Sequence, residues 1–131
     1  MEPAPRHQAR ERALTLLYEA ELKGSPPSVV VGELTVAPDG FTSALVETVE
    51  SRRAEIDGMI DDAAIGWDLD RMAVVDRNVL RLAVAELLAR PEVPTAVVLN
   101  EAVELASAYS TDDSGRFVNG VLSTLAARIR P

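Results

Sequence analysis

The chain has 131 residues, no cysteine, one histidine and a net charge of −8. That length suits one domain with its own core. The absence of cysteine excludes disulfides, thiol catalysis and cysteine-based zinc sites, and the lone His7 excludes paired-histidine dyads and H-E-x-x-H metal centres.

Pro3 and Pro5 make a non-helical start, and residues 1–5 are set apart as a flexible N-terminal segment ahead of a single domain spanning the chain. From Arg6, the residues Ala9, Ala13, Leu16, Leu17 and Ala20 recur at helical spacing, and Gly24 after Lys23 is a stop signal. Ser28 is placed to cap a short helix through Val30, Val31 and Leu34, although Val29–Val31 suits a strand equally well. Asp39 is a candidate N-cap for a helix from Phe41 to Ile65, which Gly58 or the charged stretch Glu50–Glu55 divides and Gly66 ends. Trp67–Met72 reads as a connecting turn. A helix from Asp76 carries an apolar stripe of Val79, Leu80, Ala83, Val84, Leu87 and Leu88, with Arg77, Arg81 and Arg90 outside it; Pro91 and Pro94 end it. Another stripe runs from Val98 to Tyr109. The cap-rich turn Ser110–Ser114 opens a last helix containing Phe117, Val118, Val121 and Leu122. Gly120 lies inside that helix and suggests a close approach by another backbone. The sum is an all-α bundle of six or seven helices.

The acid excess is local. Residues 33–70 carry ten acidic and two basic groups, whereas residues 1–32 carry four of each and residues 71–131 seven of each. The two ends therefore have room for a basic patch. No apolar run approaches the ~18–20 residues of a membrane span, and the N-terminus lacks a signal-peptide apolar region, so no membrane association and a cytoplasmic location are expected.

Catalysis is not expected. The chain has no phosphate-binding glycine loop and no Glu-x-x-His pair, and Asp57, Asp61 and Asp62 read as a solvated acidic face, so neither metal nor cofactor is expected. Binding remains. Arg6 and Arg10, four residues apart, share one helical face with His7 adjacent and Arg12 further round. Such a pair is either a solvated face or a contact to single-stranded RNA. Phe117 beside Arg116 is either a core residue or a stacking surface next to a cation.

Four segments bear on these alternatives: RHQARERALTLLYEAELKG from Arg6, DRNVLRLAVAELL from Asp76, VPTAVVLNEAVELA from Val93 and DDSGRFVNGVL from Asp112. In order and spacing the chain resembles the NusB family of bacterial transcription antitermination factors. The resemblance implies two small helical subdomains and a non-enzymatic cytoplasmic adaptor. It implies pairing with a small-subunit ribosomal protein, NusE, on single-stranded boxA-type RNA, within an RNA polymerase complex that reads through terminators, notably in ribosomal RNA operons. It assigns RNA contacts to Arg6, His7, Arg10 and Tyr18 on the first helix and to Asp113, Arg116 and Phe117 on the last. Asp76 and Arg77 fall at the protein-partner position, with Asp76 alternatively a helix N-cap. Asn119 is read as structural. His7 and Gln8 stand where the family often has arginine, which makes a homodimer with little RNA binding of its own the alternative. Similar domains begin RNA cytosine methyltransferases, but 131 residues have no room for that catalytic domain.

Overall fold

The computed structural model describes residues 5–131. Of the N-terminal segment expected to be flexible, all but Pro5 lies outside the described residues. Among the described residues there are seven α-helices, one 3-10 turn and no strand.

Helix α1 (Arg6–Lys23) ends at Gly24, which adopts φ 64° and folds the chain back so that the N–H groups of Gly24 and Ser25 donate to the Glu21 and Ala20 carbonyls. Glycine takes this left-handed conformation without the steric cost of a Cβ. Helix α2 (Pro27–Gly32) begins on a proline whose missing N–H costs nothing in a first turn. The Val29–Val31 run is therefore helical, and Ser28 is not the cap. Ser28 lies within the first turn and donates from both its N–H and its hydroxyl to Glu50 Oε1, each at 3.0 Å.

Asp39 caps α3 (Gly40–Ser51) by accepting the Phe41 N–H at 2.9 Å. The long helix expected from Phe41 breaks at Arg52, within the charged stretch, and Gly58 continues undisturbed inside α4 (Arg53–Ala63). Gly66, at φ 82°, belongs to the following turn. The 3-10 turn Leu69–Arg71 then leads into α5 (Val74–Ala89), α6 (Thr95–Tyr109) and α7 (Asp112–Ile129).

Helix α5 organises the molecule. Helices α1 to α3 pack on one another, α4 to α7 pack on one another, and α5 contacts both groups. Its residues 78–87 are all buried, so it is a central helix and not the one-sided amphipathic element that its arginines suggested. Arg81, expected outside the apolar stripe, is buried: its Nε donates to Asp57 Oδ1 at 2.8 Å and its Nη1 to Glu21 Oε1 at 2.9 Å. Glu21 also accepts from Arg77, so one polar knot ties α1, α4 and α5 together. Around it runs a continuous apolar core with Leu45, Ile56, Leu80, Leu105 and Leu122 fully buried, each burial contributing about 1.5–3 kcal/mol.

Close approach in the last helix falls at Gly115 and not at Gly120. A Cβ on Gly115 would lie 2.5 Å from Ser107 Oγ and 3.4 Å from Val103 Cγ1 on α6, whereas one on Gly120 would meet nothing within 4 Å. At the other end of α7, Arg130 donates to the carbonyls of Leu87, Arg90 and Val93, securing the turn between α5 and α6.

Candidate functional site

The residues singled out in the sequence fall into three places. The first is the start of α1. Arg6 is exposed, its guanidinium carbon 4.0 Å from the centroid of the Phe41 ring. His7 is exposed and its Nδ1 lies 2.7 Å from Glu101 Oε2, a contact that, with the nearby carboxylate charge, raises its pKa above the usual 6.5. Arg10 shares the face of Arg6, as the spacing requires, but one turn on its side chain is buried. Arg10 is only 4% exposed and donates from Nε to Glu86 Oε1 at 2.8 Å and from Nη2 to Oε2 at 2.6 Å. Burial opposes its charge, but the bonds to Glu86 outweigh it and the pKa rises. Two of the Arg10 donor nitrogens, Nε and Nη2, are thus bound inside the fold, while Nη1 lies 3.7 Å from Glu101 Oε2.

The second place is a groove of about 310 Å³ between the 3-10 turn, the start of α5 and the start of α7. Trp67 and Phe117 form its aromatic wall, their rings edge-to-face at 6.0 Å and 66°. Trp67 is 53% exposed and Phe117 is half-buried, so Phe117 is neither wholly a core residue nor a free ring. Asp113 and Arg116 are exposed and paired with each other on the rim. Asp76 lies in the groove wall. It is not an N-cap, since α5 starts two residues earlier; its Oδ2 accepts the Ser114 hydroxyl at 3.0 Å, while its Oδ1 is buried with no hydrogen-bond partner. A buried carboxylate oxygen without a partner is costly and favours a donor from outside. Arg77, expected beside Asp76 in partner binding, turns away to Glu21 and to the Met72 carbonyl. Asn119, read as structural, is exposed on α7, and its side chain makes no hydrogen bond among the described residues.

The third place adjoins the second. Tyr18, Val75 and Tyr109 line a shallow groove of about 280 Å³. Val75 precedes Asp76, so the two grooves flank the first turn of α5. Tyr109 donates from its hydroxyl to Glu11 at 2.7 Å.

Arg6 and Tyr18 stand about 18 Å apart along α1 at 1.5 Å per residue. The edge between them is acidic, with Glu11 on α1 and Glu101 and Glu104 on α6. Among the described residues, His7, Glu101 and Glu104 are also the group that brings potential metal ligands together, within 4.8 Å of one another on an exposed edge.

Sequence reasoning missed Trp67, read as part of a connecting turn, and Tyr109, counted with an apolar stripe. The only tryptophan of the chain, set between Gly66 and Asp68 in a polar loop, was the available signal.

Comparison with known proteins agrees with this architecture. The NusB family model matches residues 7–127. The transcription antitermination protein NusB of Acidothermus cellulolyticus is 49% identical over 126 residues, covering 93% of this chain and 87% of that protein. The NusB of Thermobifida fusca is 48% identical over 124 residues, covering 92% and 87%. T. maritima NusB matches with a TM-score of 0.90 at 31% identity, covering 99% of this chain and 96% of that one. A crystal structure of antitermination factors NusB and NusE in complex with dsRNA holds a chain that matches with a TM-score of 0.80 at 33% identity, covering 94% and 96%. The chain belongs to the NusB family of transcription antitermination factors, which are not enzymes.

Proposed function

We propose that this chain is an RNA-binding adaptor. It pairs with the small-subunit ribosomal protein NusE and holds boxA-type single-stranded RNA, in the cytoplasm, so that RNA polymerase reads through terminators, notably in ribosomal RNA operons. The observation that carries this reading is the Trp67–Phe117 groove, in a fold whose relative was crystallised with NusE and RNA.

Exposed aromatic rings beside a cation suit unstacked bases, each stacked base contributing about 1–3 kcal/mol. Phe117 and Trp67 supply the rings, Arg116 the cation, and Asp113 an acceptor for a base amino group. Arg6 supplies a phosphate contact at the far end of α1. The acidic edge between these places repels a phosphate backbone and attracts a basic protein, so partner and RNA together satisfy a surface that neither satisfies alone. Asp76 Oδ1 offers that partner a buried acceptor.

Size-exclusion chromatography with light scattering tests the pairing. The chain, the ribosomal protein and a boxA-type RNA are expected to elute together as one copy each. A homodimer that persists with the partner present and excludes the RNA would overturn the adaptor reading.

A further inference from the structure

Three guanidinium groups surround one ring. The Cζ atoms of Arg6, Arg90 and Arg10 lie 4.0, 5.0 and 5.3 Å from the centroid of Phe41, which is itself 7% exposed. The ring attracts each cation, but three cations around one ring also repel one another, and each needs an anion. Arg10 has Glu86. Among the described residues Arg90 pairs with Glu92, whose side chain is 56% exposed. The Arg90 Nε is buried, and although it lies 2.9 Å from Glu92 Oε1 it makes no hydrogen bond. Arg6 has no carboxylate partner among the described residues. Positive charge is thus gathered at this corner of a protein of net charge −8, and of the three guanidinium groups Arg6 is the one without a carboxylate partner among the described residues.

The position of Arg90 is also fixed in advance. Arg130 donates to its backbone carbonyl at 2.9 Å and to the Leu87 carbonyl at 3.2 Å, holding the end of α5 in place. A planar guanidinium on an aromatic seat, with part of its side chain exposed, matches a phosphate group.

We propose that Arg90 is a phosphate-binding residue for single-stranded RNA, acting with Arg6 across the Phe41 ring. The inference rests on the RNA-binding reading above and adds to it a residue 84 positions from Arg6 in the chain.

The test uses the full chain with its ribosomal partner and a labelled boxA-type RNA at several salt concentrations. Arg90→Gln should weaken binding about fivefold for any RNA sequence and lower the salt slope by about 0.7, the value for one phosphate contact on a single strand. Arg90→Lys keeps the charge but not the planar fork. It should retain the slope with a smaller loss of affinity, and it carries the test if Arg90→Gln melts early. If the wild-type chain binds RNA selectively and a folded Arg90→Gln keeps both affinity and slope, Arg90 is not a contact and the adaptor reading stands without it. If Arg90→Gln loses the partner protein in RNA-free pull-downs and leaves RNA binding unchanged, the corner is a protein contact and the proposal is overturned. If the wild-type chain shows no selective RNA binding, the adaptor reading fails and this proposal with it.

Discussion

Arg10 and Glu86 form a two-bonded ion pair in the interior, joining the first turns of α1 to the last turn of α5 across 76 positions of sequence. Both residues are almost fully buried, at 4% and 1% exposed. Removing Arg10 leaves Glu86 as an unpaired buried charge, which typically costs about 3–5 kcal/mol, whereas removing Glu86 leaves Arg10 with Glu101 at 3.7 Å. Arg10→Ala should therefore lose that much stability in urea unfolding, and Glu86→Ala should lose less, because Glu101 still faces Arg10. The double variant Arg10→Met, Glu86→Leu should recover most of the loss. Loss of RNA binding in Arg10→Ala then reports a damaged fold, so the variant cannot map an RNA site. Arg6→Ala is the surface probe, expected to unfold like the wild type.

Trp67 is the only tryptophan, and it is half exposed beside Phe117. A base that stacks there should quench its emission. Adding boxA-type RNA to the isolated chain should lower Trp67 fluorescence in proportion to occupancy, and Trp67→Ala should weaken binding by about 1–3 kcal/mol. The thermal midpoint of Trp67→Ala should stay within a few degrees of the wild type, because the residue is half exposed and lies outside the buried core. Unchanged emission at saturating RNA would remove the groove from the RNA site.

Gly115 and Gly120 sit five residues apart on α7 and should respond in opposite directions. Alanine at Gly120 meets nothing and gains helix propensity, worth about 1 kcal/mol of added stability. Alanine at Gly115 meets Ser107 Oγ at 2.5 Å and should destabilise by about 1–3 kcal/mol despite the same propensity gain. Adding Ser107→Ala to Gly115→Ala removes that oxygen and should restore part of the loss. Chemical denaturation of the four proteins checks the pattern.

Two titrating groups give stability a pH dependence of opposite sign. For Glu21, burial alone would raise the pKa, but hydrogen bonds from Arg77 and Arg81 outweigh it and hold the carboxyl below its ordinary 4.5. Its contribution is present above 4.5 and is lost as pH falls through the lowered folded value. For His7, the Glu101 contact raises the folded pKa above 6.5, so its contribution is full below 6.5 and is lost as pH rises through the folded value. His7→Ala should flatten the stability profile just above 6.5, and Glu21→Gln should blunt the acid limb. An NMR titration of His7 should show a midpoint above 6.5 that falls in Glu101→Gln.

The helices were legible in the sequence because their apolar residues keep a helical period and their ends carry strong signals, such as Gly24 and Asp39. What was not legible depended on distance. The helical spacing put Arg6 and Arg10 on one face correctly, but no local feature said that Glu86, 76 positions away, would meet Arg10 and bury it. Arg81 broke the apolar pattern of α5 and so disguised a helix that is buried on nearly every side. In the loop before α5, Trp67 has no periodicity to read, and its role comes only from the placement of Phe117. Asn119-Gly120 drew attention to the wrong glycine, because the crossing of α6 and α7 that demands a missing side chain lies one and a half turns earlier.

The most direct measurement is fluorescence anisotropy of a labelled boxA-type RNA, titrated with the chain alone, with the ribosomal partner, and against a scrambled RNA. Binding that is selective for the boxA sequence and tightens when the partner is added is the predicted result. Equal binding to both RNAs, or no binding with the partner present, would contradict the adaptor account.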